Sequence, residues 1–90
     1  MSIKINVSSF LDQYTNGEKV VQVNGSTVGQ CLSHLVKRFP SIKSRLFDNN
    51  SKLQSYVNIY VNGESSYPEE LAKPVKSGDE LYVVFLVDGG

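Results

Sequence analysis

The chain has one cysteine, one histidine and no net charge, and each scarcity removes a class of function. Cys31 has no second cysteine with which to form an internal disulfide or a CxxC redox pair. His34 is the only histidine beside it, so a transition-metal site lacks enough soft ligands and no metal is expected. With nine basic and nine acidic residues, the chain presents no broad positive field for nucleic acid. The apolar run Leu81 to Val87 is far too short to cross a bilayer, which argues against a membrane role. The opening Met-Ser-Ile-Lys lacks the apolar stretch of a secretory signal, so a cytoplasmic location is the default expectation.

What remains is the composition of a small globular domain. Ninety residues with 40% hydrophobic and 20% charged content fit one core rather than two, and folding rather than disorder. The charges are unevenly spread. Lys37, Arg38, Lys43 and Arg45 form a basic stretch, whereas Glu64, Glu69, Glu70, Asp79, Glu80 and Asp88 make the last third acidic. A solvated surface accounts for such runs; an acidic face that steers towards a basic partner is the functional alternative.

Periodicity assigns the elements. Ile3, Ile5 and Val7 alternate with Lys4 and Asn6, the period of a half-buried strand. A loop containing Asn16-Gly17 separates it from a second strand, Lys19 to Val23, and the two can pair as a hairpin. Val28, Cys31, Leu32, Leu35 and Val36 then fall on one helical stripe, with Thr27 and Gln30 at capping-box spacing. Pro40 ends that helix near Phe39, and Ile42 to Phe47 can add a further turn. Tyr56 to Val61 reads as a third strand, turned by Asn62-Gly63. Ser65 to Lys76 is polar and reads as loop with room for a short edge strand; Ser77-Gly78-Asp79 turns into a last strand, Glu80 to Val87.

A helix after a hairpin must lay its stripe on one face of a sheet, giving two layers around one core. The third strand can return beside the first by a right-handed crossover. A central last strand would explain its apolar character, because strands covered on both faces read as continuous apolar runs. The expected class is α+β, a β-grasp in which a mixed sheet clasps one main helix. Its domain spans residues 1–88, followed by a flexible tail at 89–90.

The tail is Gly89-Gly90, directly after that strand. Without Cβ atoms, two glycines can thread a narrow groove and leave an unhindered carbonyl. Cys31 belongs to the apolar stripe and reads as core rather than as a sulfur-relay thiol. His34 falls off the stripe and reads as solvent-facing, with no catalytic role.

Five stretches together resemble the MoaD/ThiS ubiquitin-like sulfur carriers. They are Thr27-Val-Gly-Gln30, Arg45-Leu-Phe-Asp48, Tyr56 to Glu64, Val75-Lys-Ser-Gly-Asp-Glu80 and Gly89-Gly90, in that order. The segment between helix and third strand looks more like the molybdopterin-synthase and cysteine-pathway carriers than the shorter thiamine type. One departure is that Phe85 and Leu86 stand near where the family usually has proline.

The resemblance implies a carrier, not an enzyme, with no bound cofactor. A ubiquitin-activating-type adenylyltransferase would use ATP and Mg²⁺ to convert the Gly90 carboxylate to an acyl-adenylate. A persulfide or sulfide would then displace AMP to give a thiocarboxylate, splitting one difficult displacement into two easier ones. A sulfur-accepting synthase subunit would take the sulfur, with molybdopterin biosynthesis leading over cysteine, thiamine or another thio-metabolite. Asp88 and Gly89 would thread the partner's active site, and an exposed subset of Tyr82, Phe85 and Val87 would form the docking patch. A modifier joined to lysines of other proteins, and a β-grasp interaction module with incidental glycines, are the competing functions.

Overall fold

A computed structural model describes residues 2–7 and 11–85. The expected ends of the first loop (Ser8 to Phe10) and of the last strand (Leu86, Val87), and the tail, lie outside the described residues. The elements run β1 (Ile3–Asn6), β2 (Val20–Val23), α1 (Val28–Arg38), α2 (Lys43–Leu46), β3 (Val57–Val61), β4 (Glu64–Ser65) and β5 (Glu80–Phe85). Single 3-10 turns lie at Asp12–Tyr14, Pro40–Ile42 and Glu70–Ala72. Among the described residues, no helix is long and apolar enough to cross a membrane.

The strands form one sheet in the order β2-β1-β5-β3-β4. The β1–β2 hairpin is antiparallel, β5 runs parallel to β1, and β3 is antiparallel to β5. This mixed sheet holding α1 on one face is the β-grasp arrangement. The third strand does not lie beside the first, as the crossover argument allowed, because β5 occupies the slot between them. β5 takes that slot by pairing along both edges, parallel to β1 and antiparallel to β3.

Val28, Cys31, Leu32 and Leu35 of α1 are fully buried against Ile3, Ile5, Val21, Val23, Ile59 and Leu81. Burying an aliphatic side chain of this size contributes about 1.5–3 kcal/mol, so the stripe fixes the helix on the sheet. Val36, at the stripe's margin, is only half-buried. The N-terminus of α1 departs from the reciprocal capping box. Thr27 Oγ1 accepts from Gln30 N at 3.1 Å, but Gln30 Oε1 accepts from Ser26 N and Ser26 Oγ, each at 2.8 Å.

The segment Ser65 to Lys76, which reads as loop in the sequence, is tied to that same helix end. Val28 N donates to Lys73 O at 2.9 Å and Val75 N to Ser26 O at 3.0 Å. One of the free N–H groups of the first helical turn is thus satisfied by a segment distant in sequence. Leu71 packs over Gly29, where a Cβ would come within 3.1 Å of Leu71 O. Gly25 is more tightly constrained: a Cβ there would lie 2.8 Å from both Cys31 N and Cys31 Sγ.

Candidate functional site

β5 leads into the residues expected to carry the chemistry. It is hydrogen-bonded on both sides, with Ile5 opposite Leu81 on one edge and Ile59 opposite Val83 on the other. Asp88, Gly89, Gly90 and Val87 lie outside the described residues, so the described site is the strand and surface that precede them.

Alternation along β5 separates the two described residues of the expected docking patch. Successive side chains point to opposite faces of a strand. Leu81 and Val83 are buried under α1. Phe85 shares their parity, packs against the core and meets Tyr56 edge-on, with ring centroids 5.6 Å apart at 71°. Tyr82 lies on the other face and is 40% exposed. The structure therefore does not join Tyr82 and Phe85 in one surface. Tyr82 instead faces Tyr60 directly across the β5–β3 pair, and with Val84 they line an open depression of about 650 Å³. Asn62, Gly63 and Glu80 complete its wall.

Double-sided coverage does not explain the apolar run of β5, contrary to the sequence expectation. One face packs on the core, and the other presents Tyr82 and Val84 in an open depression. Aromatic groups at the centre of an open face with polar neighbours are the usual anchors of a protein interface.

The edge of this depression is held by a hydrogen-bonded lock. Asn62 and Gly63 occupy the left-handed region, at φ of 52° and 87°, and form the two-residue turn between β3 and β4. Asn62 N donates to Glu80 O at 2.9 Å, and Asn62 Oδ1 accepts from Glu80 N at 3.0 Å. Asn62 Nδ2 donates to Asp79 Oδ1 at 2.9 Å, while Asp79 Oδ2 accepts from Lys76 N, also at 2.9 Å. The Asn62 amide, and then the Lys76 N–H, hold the buried Asp79 carboxyl below its ordinary range. Sequence alone reads Asn62 and Asp79 as separate turn residues; the signal for their pairing is that one turn ends β3 and the other starts β5, its antiparallel neighbour.

Cys31 is fully buried, as the stripe requires, and burial followed by the Asp79 charge pushes its thiol pKa up. That favours the protonated thiol, the opposite of what a nucleophilic or sulfur-relay cysteine needs. His34 is not simply solvent-facing. It is half-buried, and its Nδ1 accepts from Asn24 N at 2.8 Å. Its role is to satisfy the turn leaving β2.

The ThiS family profile matches residues 6–90 of the chain. The chain is 34% identical over 93 residues to the sulfur carrier protein CysO of Mycobacterium tuberculosis, covering 100% of each. Among solved structures, it superposes on a chain of the Amycolatopsis orientalis BexX/CysO complex with a TM-score of 0.89. Identity there is 34%, over 98% of this chain and 99% of that one. SAMP1 from Haloferax volcanii gives a TM-score of 0.87 at 30% identity, with 100% of each chain covered. These relatives are small carrier and modifier proteins rather than enzymes.

Proposed function

The chain belongs to the ThiS family, and from that premise we propose that it is a sulfur carrier working through the carboxylate of Gly90. The observation that carries this reading is the extent of the match. The family profile reaches residue 90, so Gly89 and Gly90 fall within the shared pattern.

A carboxylate resists nucleophilic attack because its charge is delocalised and oxide is a poor leaving group. An ATP-dependent adenylyltransferase removes that obstacle. One Gly90 oxygen attacks the α-phosphorus of ATP, pyrophosphate leaves, and an acyl-adenylate forms. Hydrosulfide then attacks the acyl carbon and AMP leaves, carrying away that oxygen. The product is a thiocarboxylate, a soft nucleophile that a second partner can use. Mg²⁺ and ATP belong to the activating partner, where charge neutralisation and positioning accelerate phosphoryl chemistry. This chain supplies the acyl group and a docking surface. Tyr60, Tyr82 and Val84 form that surface, with the acidic Glu80 at its margin. The Amycolatopsis CysO forms a complex with BexX, which supports a partner-bound working state.

For the final acceptor, we favour synthesis of a cysteine-type product over molybdopterin, because the full-length similarity at over 30% identity is to carriers named CysO. The SAMP1 likeness favours one second reading, in which a lysine amine attacks the same acyl-adenylate and the chain becomes a protein modifier.

The test is to incubate the purified chain with a candidate activating enzyme, ATP and sulfide, then measure its intact mass. The carrier reading expects a gain equal to the difference between sulfur and oxygen. Gly90→Ala should slow that conversion while leaving the melting temperature unchanged. Adducts on other proteins with no sulfur-exchanged species would favour the modifier instead.

A further inference from the structure

The basic stretch at residues 37–45 is not used by the chemistry proposed above. Its two arginines are committed within the chain. Arg38 Nη1 donates to Gln22 O at 3.0 Å and its guanidinium lies 5.3 Å from the Phe39 ring centroid. Arg45 Nε donates to Tyr14 Oη at 2.8 Å and lies 5.4 Å from that ring's centroid. The two lysines are different. Lys37 and Lys43 are exposed, and the one ion pair among the described residues joins Lys73 to Glu69 instead.

Both lysines line a groove of about 820 Å³ between α1, α2 and the 3-10 turn at Glu70–Ala72. Val36, Phe47 and Leu71, each half-buried against the core, give it an apolar floor. Gly29 keeps one wall low, because any side chain there would press on Leu71. Among the described residues, no acidic one lines it. The polar atoms of Thr27 and Gln30 at one end are already engaged in capping α1. Ser33, Ser51 and His34, whose Nδ1 is engaged by Asn24 N, complete the lining, so the groove offers apolar contact, two ammonium groups and scattered polar side chains rather than the convergent, fixed polar atoms of a small-molecule site.

We propose that this groove is a second docking surface, taking a segment of a partner protein in which an apolar side chain is flanked by carboxylates. Charge complementarity selects the occupant. Lys37 and Lys43 sit at the rim of an apolar floor, so an acidic amphipathic segment can bury its centre while its carboxylates remain beside the ammonium groups. The groove lies on the helical layer, whereas Tyr60 and Tyr82 face away from α1 on the far side of the sheet. Both surfaces can therefore be occupied at once, and the inference does not depend on the sulfur-carrier reading.

The experiment is an NMR titration of the isotope-labelled 90-residue chain. The probe is a blocked peptide with a Leu-Phe centre flanked on each side by two acidic residues. Saturable shifts confined to Gly29, Val36, Lys37, Phe47 and Leu71 are expected. The double substitution Lys37→Glu with Lys43→Glu should weaken binding about tenfold, as expected when two exposed ion pairs become repulsive. Leu71→Ser should weaken it with the charges intact. A native-like spectrum of each variant excludes misfolding as the cause. The proposal is overturned by any of four results: no saturable shift, shifts on the Tyr60–Tyr82 face, equal binding of a lysine-flanked peptide, or unchanged affinity after charge reversal. Peptide-independent shifts that grow with protein concentration would also overturn it, by assigning the groove to a second copy.

Discussion

Replacing Asp79 by asparagine tests the lock that joins the end of β3 to the start of β5. The carboxylate accepts two hydrogen bonds of 2.9 Å, from Asn62 Nδ2 and Lys76 N. An asparagine of the same shape keeps one acceptor oxygen and turns an NH₂ group towards the other donor. A hydrogen bond to a charged group is worth about 1.5–3 kcal/mol, so the loss at neutral pH should be of that size. For a domain of this length the melting temperature should fall by about 10 °C.

The pH dependence separates this from a simple packing defect. The folded pKa of Asp79 is lowered, chiefly by the Asn62 amide, below an unfolded value of about 3.9. Its contribution is therefore complete above the unfolded pKa and is lost as pH falls through the folded pKa. Thermal denaturation of both proteins between neutral pH and strong acid is the assay. The gap should be constant from neutral pH to about pH 5 and close in more acid solution, where Asp79 is protonated. An equal gap at every pH, or no gap at neutral pH, would show that the Asp79 charge does not hold this lock.

Gly25→Ala should destabilise by about 1–3 kcal/mol, because its Cβ would overpack Cys31 N and Sγ. Combining it with Cys31→Ala should not restore stability, since the Cys31 backbone nitrogen remains in place; calorimetry of both variants checks this. Tyr82→Ala should weaken capture by the activating partner by about 2 kcal/mol, as at an interface anchor, with the fold intact. Phe85→Ala should do the reverse, costing about 2–3 kcal/mol of stability because Phe85 packs on the core face. Measuring affinity and melting temperature on both variants distinguishes the two roles.

Periodicity made much of this architecture legible. The stripe from Val28 to Leu35 and the alternation of Ile3 and Ile5 identify buried faces because those faces pack in a single layer. Asn62-Gly63 marks its hairpin because few other pairs accept two successive positive φ angles. Strand order was less accessible. Whether β3 or β5 lies beside β1 is a matter of long-range pairing, which local periodicity does not encode. Parity selects within the expected docking patch: Tyr82 and Phe85 are three residues apart, and an odd spacing puts them on opposite faces of β5, leaving Tyr82 on the open one. The attachment of residues 65–76 to the start of α1 left no periodic trace, because it is made by backbone carbonyls and by the absence of a side chain at Gly29. The bond from Asn24 N to His34 Nδ1 leaves no periodic trace for a similar reason, since it too involves a backbone group.

The most direct measurement is fragment mass analysis of the C-terminal peptide after enzymatic loading with ATP and sulfide. One oxygen of Gly90 should be replaced by sulfur while Cys31 stays unmodified. Sulfur added at Cys31, with Gly90 unchanged, would contradict the carrier role of Gly90.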